Sequence, residues 1–349
     1  MKTIAIGMNL QSGPYGGGNQ FGHALVQALQ RNNFRVVFDL TSPHIDLILV
    51  TETRPWLNIC AFDMRSALRY KAQHHIPVVL RVNECDERKN KRWRLLNSVL
   101  RTAAQLSTQT VFISDWLRKL IMNDTTALTT TSSVILNGAD QAVFNSNGYQ
   151  RWDGTSPLKI VTHHWSSNRL KGWDVYEQLD QLVADSAGRL AFTYIGNPPV
   201  KHRLRHTTLH APLTGMALAA ALKQHHVYIT ASINEPAGMH HIEAALCGLP
   251  LLYRQSGALP EYCRGFGVGF TGTADFPAAL QTIQHNYHHY QPHMHTYANS
   301  DARMTKAYVK LFSALLASDK QTPKQSVTWA GKTTLAARLA TLRFADHLQ

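Results

Sequence analysis

Cysteine is scarce in this sequence, and the few cysteines are scattered. The chain of 349 residues has four, which are Cys60, Cys85, Cys247 and Cys263. None of them stands in the Cys-x2-Cys spacing typical of zinc sites, and their separation does not match a disulfide framework. We therefore expect no disulfide bonds, no metal site built on cysteine, and a reducing compartment such as the cytosol.

Long apolar runs are also absent. No segment approaches the roughly 18 apolar residues that a membrane-spanning helix needs, and the apolar run over residues 2–8 is too short for a signal peptide. Apolar residues nevertheless make up 44% of the chain, which is enough for a core, and the length favours two domains. We expect a cytoplasmic protein, either soluble or peripheral at the inner face of a membrane.

Acidic residues are the third scarce class. There are 22 Asp and Glu residues against 35 Lys and Arg, which gives a formal net charge of +13 and an isoelectric point of about 9.7. A basic chain favours acidic partners, namely nucleotides, phospholipid surfaces or nucleic acids.

Short apolar strands alternate with helices along two stretches of the chain. This alternation predicts an α/β fold in which each domain has a parallel sheet covered by helices on both faces. The segment 145–157 is rich in Asn, Gly, Ser, Thr and Asp, as linkers are. We therefore predict a first domain over residues 1–150, a second over 151–302, and a terminal region over 303–349 that consists of a helix and an amphipathic or flexible tail.

A glycine-rich loop over residues 11–20 follows the first strand and precedes a helix. Strand, glycine-rich loop and helix form the opening of a nucleotide-binding α/β domain. The glycines do not follow the Gly-x-Gly-x2-Gly fingerprint of dinucleotide-binding domains, and the loop lacks the Lys-Ser/Thr of a P-loop. Gly16 and Gly17 are the candidate ligand contacts in this loop.

The most informative stretch is residues 234–250, which follow an apolar strand. It carries two carboxylates, Glu235 and Glu243, eight positions apart. Pro236 keeps Glu235 out of the helix interior, so Glu235 lies in a loop and Gly238 opens the helix that carries Glu243. Free N–H groups at a helix N-terminus bind phosphate. The stretch therefore predicts a sugar nucleotide site, with amides on phosphate and one carboxylate each for ribose and sugar hydroxyls.

The same residues resemble a known family. Glu-x7-Glu, followed by Ala-x3-Gly-x-Pro and then by Gly257-x2-Pro260-Glu261, resembles the donor site of retaining glycosyltransferases of family 4 and their glycogen-synthase-like relatives. The resemblance covers most of residues 1–317. It implies the GT-B fold, with two Rossmann-like domains facing each other across a cleft and a C-terminal helix that crosses back to the first domain.

The resemblance also implies an activity. It is the transfer of a hexosyl-type sugar from a nucleoside diphosphate sugar to an acceptor, with retention of anomeric configuration and without a metal or other cofactor. The absence of an Asp-x-Asp motif agrees with this, because that motif is typical of metal-dependent transferases of the other main fold. Base and sugar stay open, with UDP and GDP among the candidate carriers.

Site residues follow from matching the family's motifs to this sequence. Lys171 and Gly172 match a Lys-Gly pair that neutralises the diphosphate leaving group. The family's arginine stands further upstream, near Trp165, so Arg169 is the candidate substitute. The predicted catalytic set is Glu235, Lys171 and Arg169, with Glu235 on the donor sugar. The predicted nucleotide-binding set is Glu243 on ribose together with Gly238, Met239, His240, Gly196, Asn197, Gly16, Gly17 and Ser166.

The acceptor side is less defined. Many relatives carry a histidine where this chain has Asn83 and Glu84, so these two are the acceptor-side candidates. The segment 88–94 packs basic residues around one tryptophan, and it predicts either contact with an anionic membrane or phosphorylated acceptor, or a solvated helix start. Its basic residues are Arg88, Lys89, Lys91, Arg92 and Arg94. The expected acceptor is a cell-surface glycan or a lipid-linked sugar.

Three alternatives stay open at this point. One is a protein that binds nucleotide sugars without turnover, and another is a glycosyltransferase that modifies DNA. A sugar epimerase on the same fold is the third. No specific nucleic acid is expected as a partner, because no recognised nucleic-acid module accompanies the basic segment.

Overall fold

The structure of the protein is a computed structural model that describes residues 1–11, 16–42, 44–89, 93–122, 131–165, 167–199, 204–318 and 329–347. The chain divides into two compact units. Unit 1 comprises Met1–Leu136 and Ala302–Gln349, and unit 2 comprises Asn137–Asp301.

Unit 1 is built on a six-stranded sheet in the order β2-β1-β3-β4-β5-β6, in which every neighbouring pair is parallel. The strands are β1 Lys2–Ile6, β2 Phe34–Val37, β3 Leu47–Val50, β4 Val78–Val82, β5 Gln109–Phe112 and β6 Thr131–Val134. The helices between them are α1 Gly17–Arg31, α2 Met64–His74, α3 Leu95–Leu106 and α4 Asp115–Met122, with a 3-10 turn at Glu87–Lys89. The central strands are buried along their length because helices cover both faces of a parallel sheet.

Unit 2 repeats the plan with the order β12-β11-β10-β7-β8-β9, again parallel throughout. The strands are β7 Leu158–His164, β8 Leu190–Gly196, β9 Thr208–His210, β10 Val227–Thr230, β11 Leu251–Arg254 and β12 Gly267–Phe270. The helices are α5 Trp173–Asp185, α6 Gly215–Lys223, α7 His240–Leu246, α8 Leu259–Cys263, α9 Phe276–His285 and α10 Tyr287–His293, with 3-10 turns at Arg169–Lys171 and Met294–Thr296.

The last two helices are α11 Asp301–Ala317 and α12 Trp329–His347, and both belong to unit 1. From α11, Met304, Tyr308 and Phe312 enter the same buried cluster as Ile4 and Leu25. The spacing of four residues puts these α11 side chains on one helix face, which explains why the chain returns to the first sheet. The predicted fold class, two parallel-sheet α/β domains with a C-terminal helix on the first, is confirmed.

Helix α12 buries Leu335, Leu339 and Leu342. Its Arg338 guanidinium donates a hydrogen bond of 3.0 Å to the carbonyl of Ser98 on α3. No helix among the described residues is both long enough and apolar enough to cross a membrane.

The chain enters unit 2 earlier than the linker-like composition of residues 145–157 indicated. The Asn137 side-chain amide donates to the carbonyl of Ala237 (3.0 Å), and its backbone N–H donates to the hydroxyl of Tyr262 (2.9 Å). Tyr149 donates to the carbonyl of His226 (2.9 Å). These bonds tie Asn137 and Tyr149 to unit 2, which begins at Asn137.

Candidate active site

The predicted donor residues of unit 2 lie at the carboxyl edge of its sheet. Strand β7 ends at His164, β8 at Gly196 and β10 at Thr230, and β7 pairs with both of the others. The carboxyl ends of parallel strands are where open α/β sheets bind ligands, because the connecting loops diverge there. The fold therefore brings the separate sequence candidates of this unit to one edge.

Two predicted catalytic residues contact each other directly. The ammonium of Lys171 lies 2.7 Å from Oε2 of Glu235. Both residues are buried, at 8% and 2% relative exposure. Burying a charge costs free energy unless the charge is paired. Each of these two side chains offsets the cost of burying the other. Glu235 follows β10 and Lys171 ends the 3-10 turn after β7, and neighbouring strands thus supply the two partners.

Gly172 explains why Lys171 comes so close to the strand end. Its φ is +89°, and a Cβ at this position would lie 2.1 Å from the carbonyl oxygen of Ala231. The backbone N–H of Ile233 also donates to the carbonyl of Leu170, at 2.8 Å. Only glycine tolerates both this backbone conformation and this approach. Gly172 therefore lets the backbone pack against Ala231, and this packing places the Lys171 ammonium within reach of Glu235.

Gly257 plays the matching part on the other side of Glu235. Its φ is +65°, and a Cβ would lie 2.4 Å from both the backbone N and the backbone O of Glu235. Ala258 N–H donates to the Glu235 carbonyl (2.8 Å), and Asn234 N–H donates to the hydroxyl of Ser256 (2.9 Å). The Gly-x2-Pro-Glu segment holds the loop that carries Glu235.

The second carboxylate, Glu243, lies on α7 and is bound by a residue that sequence reasoning missed. Its Oε2 lies 2.9 Å from Nε2 of His163, and both residues are buried, with 5% and 8% exposure. His163 is the penultimate residue of β7. A polar residue at the end of an apolar strand is a sequence signal for a site residue. It does not identify the partner, because Glu243 is eighty positions away along the chain.

Three further histidines are buried beside this pair. The rings of His164 and His240 lie 4.9 Å apart between centroids, and those of His240 and His241 lie 5.0 Å apart. Burial holds the pKa of His164 and His240 well below the ordinary value, with the charge of Lys171 acting in the same direction. Burial also lowers the pKa of His241 to about 3. These three imidazoles are neutral near pH 7.

The side chain of His240 is engaged inside the unit. Its Nε2 lies 2.9 Å from the hydroxyl of Thr230, while a Cβ on Gly238 would lie 2.4 Å from its Nδ1. A side chain at position 238 would therefore collide with the His240 ring. This steric need accounts for glycine at position 238 independently of the predicted donor contact. Helix α7 is seven residues long.

Several buried polar atoms here have no hydrogen-bond partner among the described residues. They are Nδ1 of His163, Nδ1 of His164, both ring nitrogens of His241 and the hydroxyl of Ser232. Leaving such an atom unpaired costs about 1–3 kcal/mol. A polar ligand or ordered water would meet this hydrogen-bonding capacity, and two of these histidines contact residues predicted for the donor, His163 contacting Glu243 and His241 contacting His240.

The remaining donor candidates of unit 2 lie at or after the ends of β7 and β8, or directly before α7. Gly196 has a φ of +143°, and a Cβ there would lie 2.0 Å from the carbonyl of His164. Asn197 donates its side-chain amide to the carbonyl of Trp165 at 3.3 Å. Met239 directly precedes α7, and Arg169 is exposed. Ser166 lies outside the described residues.

The candidates of the first domain belong to unit 1. Gly16 and Gly17 stand at the start of α1, and Asn83 is half-buried after β4. Glu84 pairs with Arg88 (3.3 Å) and Lys89 (3.8 Å).

The basic segment is partly neutralised by its own neighbours. Besides the two pairs on Glu84, Arg94 lies 3.4 Å from Glu87. Lys91 and Arg92 lie outside the described residues. Within the part of the chain that the structure describes, no group of three or more His, Cys, Asp or Glu side chains is arranged to hold a metal ion.

The solved structures that this chain resembles include glycosyltransferases. Sucrose-phosphate synthase from Thermosynechococcus elongatus has a TM-score of 0.62 and 12% identity, covering 91% of this chain and 100% of its own. Anabaena HepE in complex with UDP-glucose has a TM-score of 0.60 and 14% identity, covering 90% and 100%. The catalytic domain of starch synthase IV from Arabidopsis thaliana, bound to ADP and acarbose, has a TM-score of 0.63 and 12% identity, covering 90% and 99%. The likeness establishes the GT-B fold.

No family model matches the sequence, and no curated protein matches it significantly. Identities of 12–14% to the solved structures establish the fold and not the activity.

Proposed function

We propose that this protein is a glycosyltransferase that transfers a sugar from a nucleoside diphosphate sugar to an acceptor with retention of anomeric configuration. The observation that carries the proposal is the buried Lys171–Glu235 pair next to the His163–Glu243 pair at the carboxyl edge of the second sheet. HepE binds UDP-glucose and starch synthase IV binds ADP on the same fold, which supports a nucleotide sugar as the donor.

Lys171 is the residue that we propose for the diphosphate. An ammonium has three N–H donors, and Glu235 takes one of them. The others are available to phosphate oxygens, where a cation in a site shielded from water stabilises the charge that develops on the leaving group. Arg169, which is exposed on the same 3-10 turn, would add a second positive charge.

The carboxylates would hold the rest of the donor. A carboxylate accepts two hydrogen bonds from a vicinal diol, so we assign Glu243 to ribose and Glu235 to donor-sugar hydroxyls. Gly238, Met239, His240, Gly196 and Asn197 complete the donor-side set that we propose in unit 2.

The proposed reaction needs no enzyme nucleophile. The bond between the anomeric carbon and the phosphate oxygen breaks, and the acceptor oxygen bonds to that carbon on the same face. The acceptor proton passes to an oxygen of the departing diphosphate. No metal takes part in this scheme, so turnover should be unchanged by a chelator such as EDTA.

The direct test is a panel of UDP-, GDP- and ADP-sugars, with release of nucleoside diphosphate measured with and without oligosaccharide acceptors. We expect one donor to support release, and an NMR spectrum of the product to show the donor's anomeric configuration. Binding of a nucleotide sugar with no release in the presence of any acceptor would favour the alternative of a binding protein. Inverted product would contradict retention.

We propose a cell-surface glycan or a lipid-linked sugar as the acceptor, with Asn83 and Glu84 on the acceptor side. The net charge of +13 and the segment 88–94 support a protein that works at the inner face of an anionic membrane. Co-sedimentation with phosphatidylglycerol vesicles, with phosphatidylcholine vesicles as the control, tests this. Binding to duplex DNA with a steep salt dependence would instead favour the DNA-modifying alternative.

A further inference from the structure

The hydrogen bond between His163 and Glu243 leaves one carboxylate oxygen available. Nε2 of His163 lies 2.9 Å from Oε2 of Glu243. An ionised carboxylate only accepts, so the imidazole N–H at Nε2 is the donor. No described residue donates to the other oxygen, Oε1.

His163 itself is held by the sheet. It lies on β7, whose neighbours are β8 and β10, and its backbone N–H lies 3.3 Å from the hydroxyl of Tyr228. Its ring meets the ring of Tyr228 edge-on at 5.4 Å, and the ring of His240 edge-on at 6.3 Å. A side chain packed in this way on a central strand has little freedom to move, so it is a firm anchor for a carboxylate on the facing helix.

Without this hydrogen bond, the Glu243 carboxylate would have more orientations open to it. The glutamate side chain has three rotatable bonds, and α7 is a short helix of seven residues. A hydrogen bond from a fixed donor selects one orientation before the ligand arrives, which lowers the entropy lost on binding.

We propose that His163 is a positioning residue that orients the Glu243 carboxylate so that Oε1, with the remaining lone pair of Oε2, accepts the hydroxyls of the nucleotide ribose. This proposal rests on the proposed function, because it concerns how the same donor is recognised. It makes His163 responsible for the distinction between a ribonucleotide and a deoxyribonucleotide, although the imidazole acts through the carboxylate and does not itself bind the ribose.

The test compares UDP, GDP and ADP with their 2′-deoxy forms by isothermal titration calorimetry. We expect the wild-type protein to bind the ribose form about tenfold more tightly, since a hydrogen bond to a charged group contributes about that factor. His163→Leu removes the donor and should bring the ratio close to one. His163→Gln keeps an amide N–H at about the reach of Nε2 and should restore most of the ratio, whereas the shorter His163→Asn should not.

His225→Leu is the matched control. His225 is half-buried and makes a hydrogen bond of 2.8 Å to Thr193 in the same unit, but it precedes β10 and so lies at the other end of the strand from the site. Its loss should leave the ratio of the two affinities unchanged. A purely structural role for His163 would weaken both nucleotides by the same factor, so the ratio separates the two roles.

The possible results distinguish failure of this inference from failure of the proposed function. A wild-type ratio near one, or a ratio that survives in both His163→Leu and His163→Asn, overturns this inference and leaves the proposed function standing. If the wild-type protein binds none of UDP, GDP and ADP, the proposed function fails, and the inference fails with it. If His163→Leu does not fold, the comparison of His163→Gln with His163→Asn gives the same answer.

Discussion

The buried pair of Lys171 and Glu235 allows structural and catalytic contributions to be separated. Lys171→Met removes the positive charge and keeps most of the side-chain volume. Glu235, at 2% exposure, then stays buried without its cation. Removing one partner of a buried ion pair destabilises a protein by about 3–5 kcal/mol, whereas neutralising both partners is much less costly. Lys171→Met with Glu235→Gln should therefore recover most of the stability lost in the single variant.

Turnover should stay low in the double variant even though its stability is recovered. Both the single and the double variant lack the ammonium that we propose for the diphosphate, so each should lose on the order of 10²-fold or more in kcat. The double variant is the informative one, because it is expected to fold nearly as well as the wild type and still be inactive.

The measurement needs to report on unit 2, since the chain has two units. Hydrogen exchange of the β10 amides, followed by mass spectrometry under native conditions, gives the opening free energy of that sheet. Lys159→Met is the control, because Lys159 is exposed on β7 of the same unit. A loss below about 1 kcal/mol in Lys171→Met, which is typical of a surface pair, would refute the buried pair and the site built on it.

Three further outcomes are expected. Glu243→Gln should weaken nucleotide binding, whereas Glu235→Gln should mainly lower turnover, and unchanged steady-state kinetics in both would refute the assignments. Gly257→Ala should destabilise the protein by at least roughly 1–2 kcal/mol, the cost of a left-handed backbone for a residue with a Cβ. It should also lower turnover, because the Cβ meets the backbone of Glu235. Gly188→Ala, which is also at positive φ but in open space, should leave turnover unchanged. Because the pKa of His241 is lowered to about 3 by burial, its contribution to stability is full above about pH 6.5 and is lost as the pH falls toward 3, by up to about 1.4 kcal/mol per pH unit. Urea midpoints between about pH 7 and pH 5 should fall less steeply in His241→Leu than in the wild type.

The parallel-sheet architecture was predictable because its signals are local. Apolar runs such as those of β4 and β10 are buried on both faces and bounded by turn residues, so they stand out in the sequence. Two edge strands carry no such signal. Strand β9, Thr208–His210, is exposed at all three positions, and β12, Gly267–Phe270, contains two glycines; neither has the composition of a buried strand.

The part of the candidate site whose residues are close along the chain was predictable from their spacing. Pro236 separates Glu235 from the short helix that carries Glu243, so the relation of the two glutamates can be deduced along the chain. The role of Gly257 could not be deduced, because the backbone it contacts lies more than twenty residues away.

By itself, the sequence determined the two α/β units, the position of Glu235 in a loop before a helix, and the Lys-Gly turn, because each depends on neighbouring residues. Only the tertiary structure decided that Lys171 pairs with Glu235, and that His163 binds Glu243. These partners are 64 and 80 positions apart and meet only because parallel strands end at the same edge of a sheet. The order of strands in a sheet arises from packing of the whole unit, and no local pattern in the chain encodes it.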